Sequence, residues 1–446
     1  MAGRRVGAGF KPAPTIPDSR SFLAVVYLAG VPINQLFTII NIAMPNLTPS
    51  DFLAAAMRRN ERLVEIRRTL HANPELAFEE FETSALVQRV LGELDIEAQT
   101  NIAKTGVVGV LRGGAATEGS ACVALRGDMD ALPIHEETGL PFASRNPGKM
   151  HACGHDSHTT MALGAAMILS EIRDQLPGTV KFLLQPSEEK LPGGASVMIA
   201  DGALLNPAVD AIFGQHVAPM APAGAVGFFP GTMMASADEL YITIRGRGGH
   251  AAMPQLSVDP IITACELVTS LQKIVSRNVD PFQPAVLTIG KIEGGSATNI
   301  IPDEVKIEGT LRAMNEEWRY QAHTMIENTI RGVCLTNGAE YELEIRLGYP
   351  ALQNDPWATK FAQESARQML GQQAVFDAPP MMGAEDFAYY LEKVPGTFWW
   401  IGAGTREQGC MGGLHNPKFT IHESILPVGS ALMAWVAYRY LAEKAG

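Results

Sequence analysis

The chain has 446 residues, more than a single hydrophobic core usually serves, so at least two domains are expected. Hydrophobic residues make up 46% and charged residues 18%, the balance of an ordinary globular enzyme. Acidic residues outnumber basic ones 47 to 35, net −12, and no long basic run occurs, which argues against a nucleic-acid partner.

The first 20 residues are basic, and residues 21–44 are largely apolar. That run has the look of a signal or membrane segment, but Pro32, Asn34, Gln35 and Asn41 interrupt it and no A-x-A cleavage site follows. Two expectations stand side by side: an exported or membrane-associated chain, and a cytoplasmic one whose translation starts at Met44. Residues 1–49 are set apart as an atypical extension.

From Leu47 the pattern becomes regular. Apolar spacing predicts a helix from Thr48 or Ser50 to Asn73-Pro74, then a second over about 79–94. "GVVGVLRG" and "ACVALRGDMDALP" read as strands, "SHTTMALGAAMILSEIRDQL" as a helix, "TVKFLLQPSEE" and "AIFGQHV" as buried strands. This alternation predicts an α/β domain with a mostly parallel sheet. Near Ser236 the rhythm changes to strand, helix, strand, strand, helix, strand, the order of a ferredoxin-like domain. The α/β alternation resumes after Tyr349-Pro350 with "DPWATKFAQESARQML" and "GTFWWIGAG". The expected organisation is therefore a catalytic domain in two parts, 50–234 and 348–446, interrupted by an insertion over 235–347.

The five cysteines are odd in number and scattered, which excludes a disulfide framework. Cys122, Cys265 and Cys334 sit in apolar patterns and are expected as core thiols. Cys153 differs, because "MHACGHDSH" gathers it with His151, His155 and His158. Other polar clusters also fall where strands end, the usual place for function in an open α/β sheet. They are Asp128 and Asp130 in "RGDMDALP", Glu188 and Glu189 in "QPSEE", His216 in "FGQHV" and His415 in "GGLHNP". Each has a bland reading by itself: a surface acid pair, a core histidine, a cap. Several ionisable groups at one sheet edge are costly to bury unless paired or ligated. Cys153, His155, one of Glu188 and Glu189, His216 and His415 make five donors. That exceeds a closed tetrahedral zinc site and fits two ions ~3.5–4 Å apart. Thiolate, imidazole and carboxylate together suit zinc, manganese, cobalt or nickel. The other glutamate is left as a general base. Pro186 breaks strand geometry just before the pair, which helps both carboxylates reach one cleft.

The motifs "MHACGHDSHTTMALGAA", "QPSEEKLPGGASVMI", "GRGGHAAMP", "GGSATNIIPDEVKIEGTLR", "GAEDF" and "LHNPKF" resemble the M20 metallopeptidase family. The likeness is to its amidohydrolase branch of hippurate hydrolases, N-acyl-amino-acid deacylases and auxin-conjugate hydrolases. It covers roughly residues 50–446. It implies a dinuclear catalytic α/β domain with an inserted lid that forms a homodimer. It also implies roles: Cys153 as the bridging ligand, His155, Glu189, His216 and His415 as further ligands, and Glu188 as the general base. Asp130 would act with them by orienting a ligand. His250 would donate to the oxyanion in the partner subunit's site, Asn299 would hold the substrate carboxylate or assist the oxyanion, and Arg312 would clamp the substrate carboxylate. Gly383–Phe387 would line the rim. Gln255 stands where this branch often has histidine, which bears on specificity. Phe142, Trp399, Met381 and Met382 are candidates for an apolar acyl pocket. The expected reaction is metal-dependent hydrolysis of N-acyl amino acids. The alternatives are a di-, amino- or carboxypeptidase, a non-catalytic metal-binding protein, and a cysteine hydrolase using Cys153.

Overall fold

The computed structural model describes residues 47–219 and 221–446. The N-terminal expectations for residues 21–44 and for a start at Met44 lie outside them. Helices α1 (Pro49–Arg58) and α2 (Asn60–Ala72) replace the single helix expected there. The break falls at Arg59, with neither glycine nor proline to announce it. Helix α3 (Phe81–Glu93) leads into a hairpin of β1 (Glu97–Ile102) and β2 (Gly106–Arg112). Then follow β3 (Cys122–Asp128), α4 (His155–Glu171), β4 (Thr179–Gln185), α5 (Gly194–Ala200) and β5 (Ala211–Pro219). Short strands β6 (Val226–Phe228) and β7 (Gly231–Met234) end this stretch.

The next elements build a sheet of their own. They are β8 (Ser236–Arg245), β9 (Gly249–His250), α6 (Pro260–Asn278), β10 (Ala285–Gly294), β11 (Ile300–Ile301), β12 (Glu304–Ala313), α7 (Glu316–Asn337) and β13 (Glu340–Leu347). The order is β10-β12-β8-β13, antiparallel throughout, with β9 and β11 forming a separate two-residue ladder. One face carries α6 and α7, and Leu240, Ile242, Leu267, Leu271, Ile307, Ile326 and Ile330 form the core between them. Alternate residues of β8 point away from that core, as one covered face requires. Asp259 accepts from the amides of Ile261 and Ile262 and starts α6. The inward stripe of α6 runs through Thr263, Ala264, Leu267, Leu271 and Ile274. Cys265 falls off that stripe and is exposed, contrary to the expected core thiol, whereas Cys122 and Cys334 are buried.

The chain then returns through β14 (Leu352–Asn354), α8 (Pro356–Leu370), β15 (Val375–Asp377), α9 (Ala388–Leu391), β16 (Gly396–Gly404) and α10 (Ile425–Ala445). The main sheet has eight strands in the order β1-β2-β4-β3-β5-β16-β6-β15. Its centre, β4-β3-β5-β16, is parallel as expected, whereas β1, β2 and the β16–β6 pair add antiparallel edges. Helices α4 and α10 cover one face and are apolar almost all round, because α1, α2 and α8 pack outside them. Helix α10 is long and apolar enough to cross a membrane, yet 78% of its most apolar window is buried in the protein, as in a core helix. Val108, Leu183, Met198, Ile212, Phe387, Tyr390 and Phe398 fill the opposite face. Asp128 pairs laterally with Gln185, so β3 and β4 finish side by side and their following loops share one crevice.

Candidate metal centre and its cleft

The turn after Met150 delivers two donors to that crevice. Cys153 precedes Gly154, which sits at φ +86° ahead of α4. A side chain at Gly154 would lie 2.5 Å from Val217, so both the conformation and the close approach require glycine. His155 then opens the helix. Its Nδ1 lies 2.9 Å from the Asp130 carbonyl and 3.2 Å from Asp130 Oδ1, so the proton sits there and Nε2 faces the crevice. Buried Nε2 finds no hydrogen-bond partner among the described residues. His216 follows the same logic: Nδ1 donates to the Val217 carbonyl at 2.8 Å, and Nε2 lies 3.4 Å from Cys153 Sγ. Imidazoles held by one nitrogen with the other free are the arrangement of ligating histidines.

Beyond β4 the chain leaves strand geometry at Pro186, and Ser187 adopts φ +50°. Glu188 and Glu189 thereby both turn into the crevice. Their amides donate to Asp130 Oδ1 and Oδ2 at 2.9 and 3.0 Å. Asp130 thus gathers His155, Glu188 and Glu189 from behind. Both of its oxygens are taken by these donors, the geometry of a carboxylate that orients its neighbours. His415, at φ +62°, is pinned by its amide to the Ala152 carbonyl at 2.8 Å. Its Nε2 lies 3.2 Å from Glu189 Oε1.

Donor atoms of Cys153, His155 and His216 fall within 4.8 Å of one another, as do those of Cys153, Glu189 and His415, and those of His155, Glu188 and Glu189. The five expected donors and the spare glutamate therefore meet in one place. The orphaned Nε2 of His155 and the thiol lodged between two histidines fit metal ions better than they fit a hydrogen-bonded core. Cys153, His155 and Glu189 each belong to two of these triples, so the groups overlap in one cluster.

Electrostatics separate the two glutamates. Burial, with Glu385, Glu189, Asp386 and Asp130 nearby, pushes Glu188 well above the ordinary carboxylate range. Burial also acts on Glu189, but His415 and His155 outweigh it and hold Glu189 down. Opposed environments of this kind divide proton carrier from fixed charge. Burial, with Glu189, Glu188 and Asp128 nearby, pushes the Cys153 thiol well above its ordinary value. A nucleophilic cysteine needs the reverse.

His158, also in "MHACGHDSH", is not free to ligate. Its Nδ1 lies 2.7 Å from Asp128 Oδ1, and its Nε2 accepts the Val217 amide at 2.9 Å. Asp128 in turn meets Arg126, 2.6 Å away on the same face of β3. Arg126 also binds Glu385 and Asp386, all three buried. Gly383, Ala384 and Glu385 do touch the cleft, but the acids of "GAEDF" serve a buried ion cluster instead of a solvated rim. Sequence reasoning missed the roles of Arg126, His158 and Tyr349, because Glu385 and Asp386 for Arg126, Asp128 and Val217 for His158, and Glu188 for Tyr349 are distant in the chain. Tyr349 donates its hydroxyl to the Glu188 carbonyl at 2.5 Å.

A cleft of about 1300 Å³ extends from these donors to the four-stranded sheet. Leu191, Met234, Tyr349, Met381, Trp400 and Leu414 give it apolar walls, and both charges line it, with Lys190, Lys291, Arg312 and Arg346 beside acids that include Asp238, Glu239 and Glu308. Arg312 is half-buried, and no hydrogen bond or ion pair engages it among the described residues. Of the expected acyl-pocket residues, Met381 is in this lining. Trp399 is buried in the core against Gln215, and Phe142 lies under Arg67 and Arg68. His250 and Asn299 are not among the lining residues either. Both are exposed and sit together on the β9–β11 ladder, where the Ala251 amide donates to the Asn299 carbonyl at 3.1 Å.

The chain matches the model of peptidase family M20/M25/M40 over residues 124–439. It is 41% identical to an N-acetylcysteine deacetylase of Bacillus subtilis, across 84% of this chain and 96% of that one. It is also 41% identical to an IAA-amino acid hydrolase of Arabidopsis thaliana, across 89% of this chain and 90% of that one. Among solved structures, a dinuclear metal binding peptidase of the M20 family from Bacillus subtilis superimposes with a TM-score of 0.75 at 36% identity. That match covers 86% of this chain and 99% of the other.

Proposed function

The chain belongs to peptidase family M20/M25/M40, and from that premise we propose that it is a metal-dependent amidohydrolase. It cleaves the amide bond of N-acyl amino acids to a carboxylic acid and a free amino acid. The observation that carries this is the convergence of five donors, Cys153, His155, Glu189, His216 and His415, with one buried glutamate, Glu188, left over. A pure metal-binding protein has no use for the spare carboxylate. The relatives named as a deacetylase and an amino acid conjugate hydrolase support the blocked-amide substrate class.

Two divalent ions (zinc, manganese, cobalt or nickel), when bound by those five side chains, would polarise the acyl carbonyl and acidify a water. Glu188 takes the proton from the attacking water and delivers it to the leaving nitrogen. Arg312 pairs with the substrate carboxylate in a two-pronged fork, which its unengaged guanidinium can form. Asn299 assists at that end. His250 donates to the developing oxyanion: its Nδ1 accepts the Ala252 amide at 3.1 Å, so Nε2 carries the proton. Residues 235–347 serve as the inserted lid through which two chains pair, so that His250 and Asn299 enter the partner's cleft. Their exposure away from their own cleft supports this arrangement.

The test is a substrate panel of N-acetyl, benzoyl and long-chain N-acyl amino acids beside free dipeptides. Release of free amino acid from the blocked compounds is expected. Cleavage confined to free dipeptides would replace this reading with a peptidase.

A further inference from the structure

Two neighbouring residues on a regular strand point to opposite faces. Glu188 and Glu189 nonetheless turn into one crevice, because Ser187 holds φ +50°, a conformation that a residue with a Cβ rarely adopts. Something must hold the chain there. Asp130 takes the amides of Glu188 and Glu189. Tyr349 takes the Glu188 carbonyl, and the Gly194 amide takes the Ser187 carbonyl at 2.8 Å. The remaining group, the Ser187 amide, donates to Glu80 Oε1 at 2.8 Å, across 107 residues of sequence.

Glu80 is fully buried, and it belongs neither to the donor cluster nor to the cleft lining. A carboxylate in that position is costly unless its oxygens are satisfied. Oε1 also accepts the Phe78 amide at 3.0 Å, and Oε2 accepts the Thr105 hydroxyl at 2.6 Å. Oε1 is thus shared by the Phe78 and Ser187 amides, and Thr105 holds the other oxygen.

We propose that Glu80 is a positioning residue for the catalytic turn: through the Ser187 amide it fixes the backbone from which Glu188 and Glu189 reach the same pair of metal positions. The proposal rests on the functional reading above.

The test uses the full chain, stripped and reloaded with cobalt(II), as wild type, Glu80→Ala, Glu80→Gln and Thr105→Val. Two readouts are taken: the visible absorption of bound cobalt, and kcat and KM per cobalt-loaded chain. Glu80→Ala is expected to change the cobalt bands and to lower kcat roughly 10-fold or more, with KM within roughly threefold. Glu80→Gln is expected to keep both near wild type. Its carbonyl can accept from Ser187 and Phe78, and its amide can donate to the Thr105 oxygen. Thr105→Val keeps the shape but removes one restraint, so a smaller change in the same direction is expected. That variant decides the matter if Glu80→Ala does not fold. Wild-type bands and kcat in Glu80→Ala with only a lower Tm would overturn the proposal. So would equal losses in Glu80→Gln and Glu80→Ala, which would assign the effect to charge instead of geometry. If wild type hydrolyses no N-acyl amino acid, the functional reading falls, and the cobalt bands still test the role of Glu80.

Discussion

Glu188 and Glu189 are neighbours in sequence and opposites in environment, one pushed up by burial among carboxylates and the other held down by His415 and His155. On this account Glu188 moves protons and Glu189 stays charged. Glu188→Gln should therefore bind metal with near wild-type stoichiometry, seen by calorimetry, while kcat falls ~10²–10⁴-fold. Asp130 predicts a different pattern. It accepts from one histidine and two backbone amides, so Asp130→Ala should weaken metal binding ~10–100-fold in the same titration. A variant with unchanged metal affinity would show that these bonds do not set the ligand geometry. The residues that converge in the crevice were legible in the sequence, since each stands in a short polar cluster that interrupts an apolar pattern: His216 within β5, Glu188 and Glu189 just past β4, and Cys153 and His155 at the start of α4. Glu80, Arg126 and Tyr349 were not, because nothing local tells Glu80 from the solvated acids around it in "FEEFET". Only the folded chain brings it to Ser187. His158 stands in the same motif as Cys153 and His155, yet both of its nitrogens are occupied by the protein, and only the folded chain shows that.

Among the elements, the start of β8 and the end of β13 meet at one buried ion cluster. Asp238 binds Arg319, with Nε at 2.9 Å, lies 2.7 Å from His323 Nε2 and accepts the Gly348 amide at 3.1 Å. Arg319 also donates to the Gly348 carbonyl at 3.0 Å. Both crossings between the two sheets are thereby tied to α7. Burial alone would raise the Asp238 pKa, but the Arg319 and His323 contacts outweigh it and bring it to about 2. The folded value lies below the unfolded one of ~3.9. This stabilisation is therefore complete above that value and is lost as pH falls towards about 2. Asp238→Asn leaves the buried Arg319 with Glu316, 3.0 Å away, as its remaining acid, so it should cost ~1–3 kcal/mol at neutral pH. In thermal melts the gap between wild type and variant should hold from neutral down to mildly acidic pH and narrow below the ordinary carboxylate pKa. A gap independent of pH would rule out the ion pair as its source. The strand and helix order of this region was readable because its residues alternate cleanly about one covered face. The helix break at Arg59 was not, since apolar spacing continues across it. Cys265 was misassigned because the apolar pattern of α6 allows a wider stripe than the sheet actually buries.

At the scale of the molecule, the main sheet gathers Cys153, His155, Glu188, Glu189, His216 and His415, and the four-stranded sheet brings Arg312 to the same cleft. The separate β9–β11 ladder and the turn before β11 carry His250 and Asn299 outside it. If His250 serves the partner's cleft, mixing His250→Ala chains with Glu188→Gln chains should restore activity that neither has alone. Random pairing in a twofold dimer makes half the dimers mixed, each with one complete site, so about a quarter of wild-type activity should return. No recovery in an exchanged mixture would place His250 in its own chain's cleft or outside the reaction.

The central claim is that one metal centre built on "MHACGHDSH" performs amide hydrolysis. The most direct test is to strip the protein with chelator, then titrate manganese, zinc, cobalt or nickel while measuring free glycine released from benzoyl-glycine and free amino acid from N-acetyl amino acids. Activity should be absent in the stripped protein and should climb to a plateau near two ions per chain. Full hydrolysis in the presence of excess chelator would contradict the account, and so would two bound ions with no turnover of any blocked amino acid.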